Sequence, residues 1–181
     1  MKQHKVVLLP GDGIGPEITY VTKELLKKVS QKNNFKLIFE EHLIGGSAID
    51  ATGEPLPIKT LEAFKSSDAI LMAAIGSPKH DSLPREIRPE TGLLELRARL
   101  NLFANIRPVK TIDALIESSS LKKDIIKDVD LIVVRELTSG VYFGKPKGRI
   151  EINQGTKAFN TMCYTDKEID LIAEVAFQLA R

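Results

Sequence analysis

The hydrophobic and polar positions of this chain change period in a regular order. Val6 to Leu9 form an unbroken apolar run between Lys5 and Pro10, as a buried strand would. From Pro16 the spacing becomes helical, with Ile18, Val21, Leu25 and Val29 on one face. Phe35 to Ile44 reads as a second strand, ended by Gly45-Gly46-Ser47, and a helical pattern runs from Pro55 through Leu61 and Phe64. Asp68 to Ile75 is a continuous apolar run, the pattern of a strand covered on both faces. Strand, helix, strand, helix, strand is the signature of an α/β sheet.

Gly76 to Thr91 breaks the alternation. It reads as a loop without regular structure, carries Pro78, Pro84 and Pro89, and leaves from the end of a buried strand. Loops of that length in compact domains are commonly lids or ligand-binding segments. His80 rides on it, and a lone loop histidine reads as a solvated side chain before a base or a metal ligand. A helix is expected over Leu93 to Asn101, followed by a strand in L-F-A-N-I-R-P that places Phe103, Asn105 and Arg107 on one side.

Lys122 to Lys127 predicts a short surface helix, and Asp130 to Glu136 another buried strand, ending in Arg135. Tyr142 follows between two glycines. Gly148 to Thr165 alternates like an extended arm. Thr165-Asp166-Lys167-Glu168 is a capping box for a last helix striped by Ile169, Ile172, Ala176 and Leu179. That helix reaches Arg181 with no stop signal, as a natural C-terminal helix or a longer chain's interior helix would.

Composition narrows the class. The 181 residues are 43% hydrophobic and 28% charged, a globular composition with room for one ordinary or two small domains. The net charge of +2 is spread evenly, and no run calls for nucleic acid or an anionic membrane. Apolar runs fall far short of a membrane span, and the single cysteine, Cys163, fits a reducing compartment. A cytoplasmic protein is the expectation.

The candidate chemistry begins with misplaced charges. Leu93, Arg97 and Leu100 share a helical face, so a guanidinium stands inside an apolar stripe, and Arg107 repeats the pattern in the next element. Burying a guanidinium costs several kcal/mol unless an anion meets it, which points to an anion site. The alternative is that both side chains snorkel to water. Gly11 to Glu17, G-D-G-I-G-P-E, joins the first strand to the first helix, where α/β proteins place ligands. Its alternating glycines and Pro16 do not match a dinucleotide fingerprint, and the segment reads as a tight turn with or without a ligand.

Four motifs in combination, G-D-G-I-G-P-E, G-S-P-K with P-E-T-G-L-L-E-L-R, N-L-F-A-N-I-R-P and V-R-E-L-T-S-G-V-Y-F-G, resemble the isopropylmalate branch of the isocitrate/isopropylmalate dehydrogenase family. The resemblance covers essentially the whole chain. It implies that family's α/β fold, not a Rossmann fold, incomplete for want of the C-terminal half. Residues 1–101 would belong to a first domain and 102–181 to a second that carries the dimer arm.

The resemblance further implies NAD-dependent oxidation and decarboxylation of 3-isopropylmalate to 4-methyl-2-oxopentanoate, in a homodimer. Arg97, Arg107 and Arg135 look like the arginines that hold the substrate carboxylates, and Tyr142 like the catalytic tyrosine that assists proton transfer. Leu93 and Leu94 would offer an apolar wall to the isopropyl group. Ile14, Ser77, Pro78, Lys79 and Glu90 would border the cofactor. Two leucines where isocitrate relatives carry a polar pair leave a third carboxylate unpaired.

Ser77 stands where the pattern has glycine, His80 where tryptophan is common, and Ser139 where a second glycine is usual. By the resemblance, the catalytic lysine, the aspartates for Mg²⁺ or Mn²⁺ and the adenine-binding loop fall beyond Arg181. No metal ligand set is therefore assigned in this chain, and the piece alone is expected to be inactive. Tartrate, malate or homoisocitrate as substrate, or a non-catalytic dicarboxylate-binding subunit, are the alternative readings.

Overall fold

The computed structural model describes residues 2–181, which divide into two compact units, the first ending at Arg99 and the second spanning Leu100–Arg181. In the first, β1 (Lys2–Gly11), β2 (Phe35–Glu41) and β3 (Ala69–Ala74) form a parallel sheet in the order β2-β1-β3. The central strand supplies the core: Val7, Leu8 and Leu9 are fully enclosed, joined by Ile44, Ala48 and Phe64. β3 is an edge strand, half-buried along its length rather than covered on both faces, because only β1 pairs with it.

Helix α1 (Gly15–Lys32) follows the glycine turn with a proline in its first turn and packs on all three strands. Proline suits that position because its missing N–H would have no partner there. The stripe of Ile18, Val21, Leu25 and Val29 is exposed, while Thr19 and Ser30 are buried, so α1 turns a less apolar face to the sheet than periodicity predicts. Between β2 and β3 lie two helices. The second, α3 (Ile58–Phe64), answers to the helical pattern from Pro55. The first, α2 (Gly46–Thr52), has no counterpart in that pattern, since it begins on the glycine pair that reads as a strand terminator.

The segment after β3 is not structureless. Two 3₁₀ turns, Pro78–His80 and Arg85–Ile87, lead into α4 (Pro89–Arg99), which starts four residues before the expected Leu93. Pro89 is fully buried, and Gly92 lies so close to the Pro55 carbonyl that a Cβ would collide with it.

The second unit is built on two antiparallel pairs. β4 (Ala104–Lys110) and β5 (Asp130–Glu136) form one, linked through α5 (Lys123–Ile126); β6 (Gly148–Ile152) and β7 (Gly155–Phe159) form the other. The expected arm is thus a hairpin. β5 is not the buried strand its sequence suggests: Leu131, Ile132 and Val133 are each almost half exposed. A two-stranded sheet with α6 (Asp166–Ala180) as its main packing neighbour has too few layers to enclose it. The capping box is present, Thr165 accepting from the Glu168 backbone and Glu168 from that of Thr165.

Candidate active site

The first unit gathers its candidate residues at the C-terminal ends of β1 and β3, where the strand order reverses. Asp12 organises this end. Its buried carboxylate accepts the backbone N–H groups of Gly46 (2.8 Å), Ser47 (2.7 Å) and Gly76 (2.8 Å), tying the glycine turn, the start of α2 and the end of β3 to one side chain. Glycine is required around it: Gly11 sits at φ +67° with its α-carbon against the Ala74 carbonyl, where a Cβ could not be placed. Asp12 was not among the expected site residues. A carboxylate between two turn glycines, where it can reach several free N–H groups, is the signal that could have found it.

Around that staple lie the expected cofactor-facing residues. Ile14 is exposed at the head of α1, and Gly13 approaches the Gly76 carbonyl. Glu90 reaches back over Gly76, its Oε1 only 2.8 Å from where a Cβ would stand. Ser77, Pro78 and Lys79 follow directly. Lys79 Nζ pairs with Asp50 on α2 at 2.7 Å, and this amine and the neighbouring His80 hold the Asp50 carboxyl below the usual carboxylate range. His80 is not the solvated residue the loop suggests. It is buried against Gly46, with Ser77 Oγ 3.0 Å from Nδ1 and Asp50 Oδ1 3.2 Å from Nε2. The burial arises because α2 and the first 3₁₀ turn close on each other, which periodicity does not reveal.

Leu93, Leu94 and Arg97 share α4 and are half-buried, with Leu96 enclosed beside them. Arg97 therefore keeps the partly desolvated position its stripe implied.

The second unit gathers the rest. Asn105 lies opposite Arg135 and Arg107 opposite Val133 in the β4–β5 register, so Arg107 and Arg135 project from the same face as diagonal neighbours. Arg135 donates to the Tyr142 hydroxyl at 3.2 Å, and its guanidinium carbon lies 5.7 Å from that ring's centre. Arg135 is half-buried, but Arg107 is exposed rather than desolvated, again because the sheet is thin. Beyond Arg135, Glu136 accepts from the backbone and hydroxyl of Thr138 and the backbone of Ser139. Burial pushes the Glu136 carboxyl up, but these bonds outweigh it and hold the group below its ordinary value.

Among the described residues no three His, Cys, Asp or Glu side chains cluster as a metal ion needs. In the turn that Asp12 holds, a Cβ on Gly13 would lie 4.0 Å from the Gly76 carbonyl, and the Glu90 carboxylate lies over Gly76. No described helix is long and apolar enough to cross a membrane.

Comparison with known proteins agrees with the motifs. The isocitrate/isopropylmalate dehydrogenase family model matches residues 5–181. A 3-isopropylmalate dehydrogenase of Synechococcus sp. (strain CC9605) is 65% identical over 181 residues, all of this chain and 51% of that protein. One from Prochlorococcus marinus (strain MIT 9313) is also 65% identical, with the same coverage. The crystal structure of isocitrate dehydrogenase from Methylococcus capsulatus superposes with a TM-score of 0.67 at 28% identity, over 98% of this chain and 48% of that one. The chain spans about half the length of the curated relatives it matches.

Proposed function

The chain belongs to the isocitrate/isopropylmalate dehydrogenase family, and from that premise we propose that it provides the substrate-reading half of an NAD-dependent, β-decarboxylating 3-isopropylmalate dehydrogenase. The observation that carries this is the β4–β5 face, on which Arg107 and Arg135 stand diagonally with the Tyr142 hydroxyl held by Arg135. Two guanidinium forks a strand apart suit a dicarboxylic acid, and Arg97 is the third candidate anchor. The names of the relatives support the oxidation of 3-isopropylmalate in particular.

Ile14, Ser77, Pro78, Lys79 and Glu90 would border NAD, which when bound would supply the acceptor for a hydride from the 2-hydroxy carbon. The chain's own part is to hold the acid's carboxylates on the β4–β5 face and to move a proton at Tyr142. Arg135 donates to the phenol oxygen, so Tyr142 can hand its proton to the carbon that loses carbon dioxide while that contact is kept, and the phenol takes a replacement proton from water. Leu93 and Leu94 offer the branched alkyl group an apolar surface, at about 0.8 kcal/mol per buried methylene. Ligands for Mg²⁺ or Mn²⁺ would have to come from residues outside this chain. A homodimer, with the β6–β7 hairpin as its arm, and a cytoplasmic setting complete the reading, as does a division of labour between residues 1–101 and 102–181. The 181-residue piece alone has no activity in this account.

The test uses a chimera of residues 1–181 followed by the remaining half of the Synechococcus relative. Arg135→Gln should raise the KM for 3-isopropylmalate at least tenfold, the loss of a charge-assisted contact of about 1.5–3 kcal/mol. Tyr142→Phe should lower kcat at least a hundredfold with little change in KM. Unchanged kinetics in both variants would remove the β4–β5 face from the active site.

A further inference from the structure

Two of the three departures from the family pattern, Ser77 and His80, touch each other. Ser77 Oγ lies 3.0 Å from His80 Nδ1, while Nε2 on the far side of the ring faces Asp50 Oδ1 at 3.2 Å. Asp50 also takes Lys79 Nζ on its other oxygen at 2.7 Å, and its carboxyl is held in the ionised range. An ionised carboxylate can only accept, so the hydrogen on the ring belongs on Nε2. The imidazole is buried against Gly46, with the Asp12 carboxylate behind that glycine and Lys79 and Asp81 flanking it in sequence. With that hydrogen on Nε2, the neutral imidazole presents a lone pair at Nδ1. Ser77 must then spend its one hydrogen on His80.

We propose that Ser77 is a ligand-reading residue whose polarity His80 fixes: with its hydrogen turned to Nδ1, its oxygen offers only lone pairs at the end of β3. His80 acts as the positioning residue and Asp50 sets its tautomer. Such a site takes a ligand group that donates a hydrogen, an amide N–H or a sugar hydroxyl, and disfavours an anion. The inference rests on the reading above that the segment from Ser77 to Lys79 borders the dinucleotide, which offers both kinds of donor.

The tautomer is read first, by ¹⁵N resonances of histidine-labelled 181-residue chain, with His80→Gln to assign the ring among three histidines. The expected result is a single Nε2–H tautomer for His80, lost to a mixture in Asp50→Ala. An Nδ1–H tautomer, or the averaged signal of a solvated ring, overturns the proposal. The ligand is read in the chimera. Ser77→Ala should raise the KM for NAD roughly three- to tenfold, one hydrogen bond's worth, with kcat at saturating NAD unchanged, and Ser77→Thr should restore it. Deamido-NAD, with a carboxylate for the carboxamide, separates the sources. A wild-type preference for NAD that Ser77→Ala erases marks the amide, whereas equal losses with both dinucleotides mark a ribose hydroxyl. An unchanged KM for both in an active chimera overturns the ligand role. A chimera inactive on 3-isopropylmalate counts against the proposed function alone, because the tautomer is measured without substrate and still decides the polarity claim.

Discussion

At the scale of single residues, Asp12 does more than any expected site residue to shape the ligand end of the sheet. It takes three backbone N–H groups from two separate segments, so Asp12→Ala leaves one buried and two half-buried donors without their acceptor. The variant should lose about 3 kcal/mol or more, seen as a lower urea midpoint, and an unchanged midpoint would show that water replaces the carboxylate at no cost. The residues that sequence motifs mark, Ile14, Ser77, Pro78, Lys79 and Glu90, lie together with Asp12, and Arg107, Arg135 and Tyr142 lie together on β4–β5 and the turn after it. What was legible from motif order is where in the chain these residues fall. The burial of His80 was not, because it depends on α2 and the 3₁₀ turn meeting, and neither periodicity nor composition encodes that approach.

At the scale of elements, chain punctuation was the dependable guide. Pro16 and the Thr165–Glu168 box marked the starts of α1 and α6, because each acts on its own neighbours through a fixed φ or a short hydrogen bond. Burial was less legible. Asp130 to Glu136 reads as enclosed, yet what encloses a strand is supplied by other elements, and β5 has few. The α6 box also carries a pH dependence. The Thr165 backbone and hydroxyl donate to Glu168 and hold its carboxyl below the ordinary value. The sign follows: the cap's contribution is present above the unfolded carboxylate pKa and is lost as pH falls through the lower folded one. Acidification through that range should fray the first turn of α6, read as faster amide exchange at Glu168 and Ile169, and Glu168→Ala should abolish the pH dependence while exchange stays fast throughout. Equal exchange at both ends of the range would contradict it.

At the scale of the molecule, the apolar surface is the outstanding fact. Ile18, Val21 and Leu25 on α1, Leu131 to Val133 on β5, and Phe177 at 71% exposure on α6 all face outward. Open edges flank both β4–β5 and the β6–β7 hairpin. Surfaces of this kind associate, so the 181-residue chain should sediment as concentration-dependent oligomers and bind an apolar dye, and a monomer at all concentrations would show that these faces need no cover. The chimera supplies the length its relatives have, and it allows the most direct test of the central claim. That test is the chimera's kcat/KM for 3-isopropylmalate set beside isocitrate, malate, tartrate and homoisocitrate. If Arg97, Arg107 and Arg135 hold the carboxylates and Leu93 and Leu94 the branched alkyl group, 3-isopropylmalate is the best substrate by at least a hundredfold over isocitrate, and Leu93→Ser with Leu94→Asn narrows that ratio. A chimera that prefers isocitrate, or whose ratio ignores the two leucines, contradicts it.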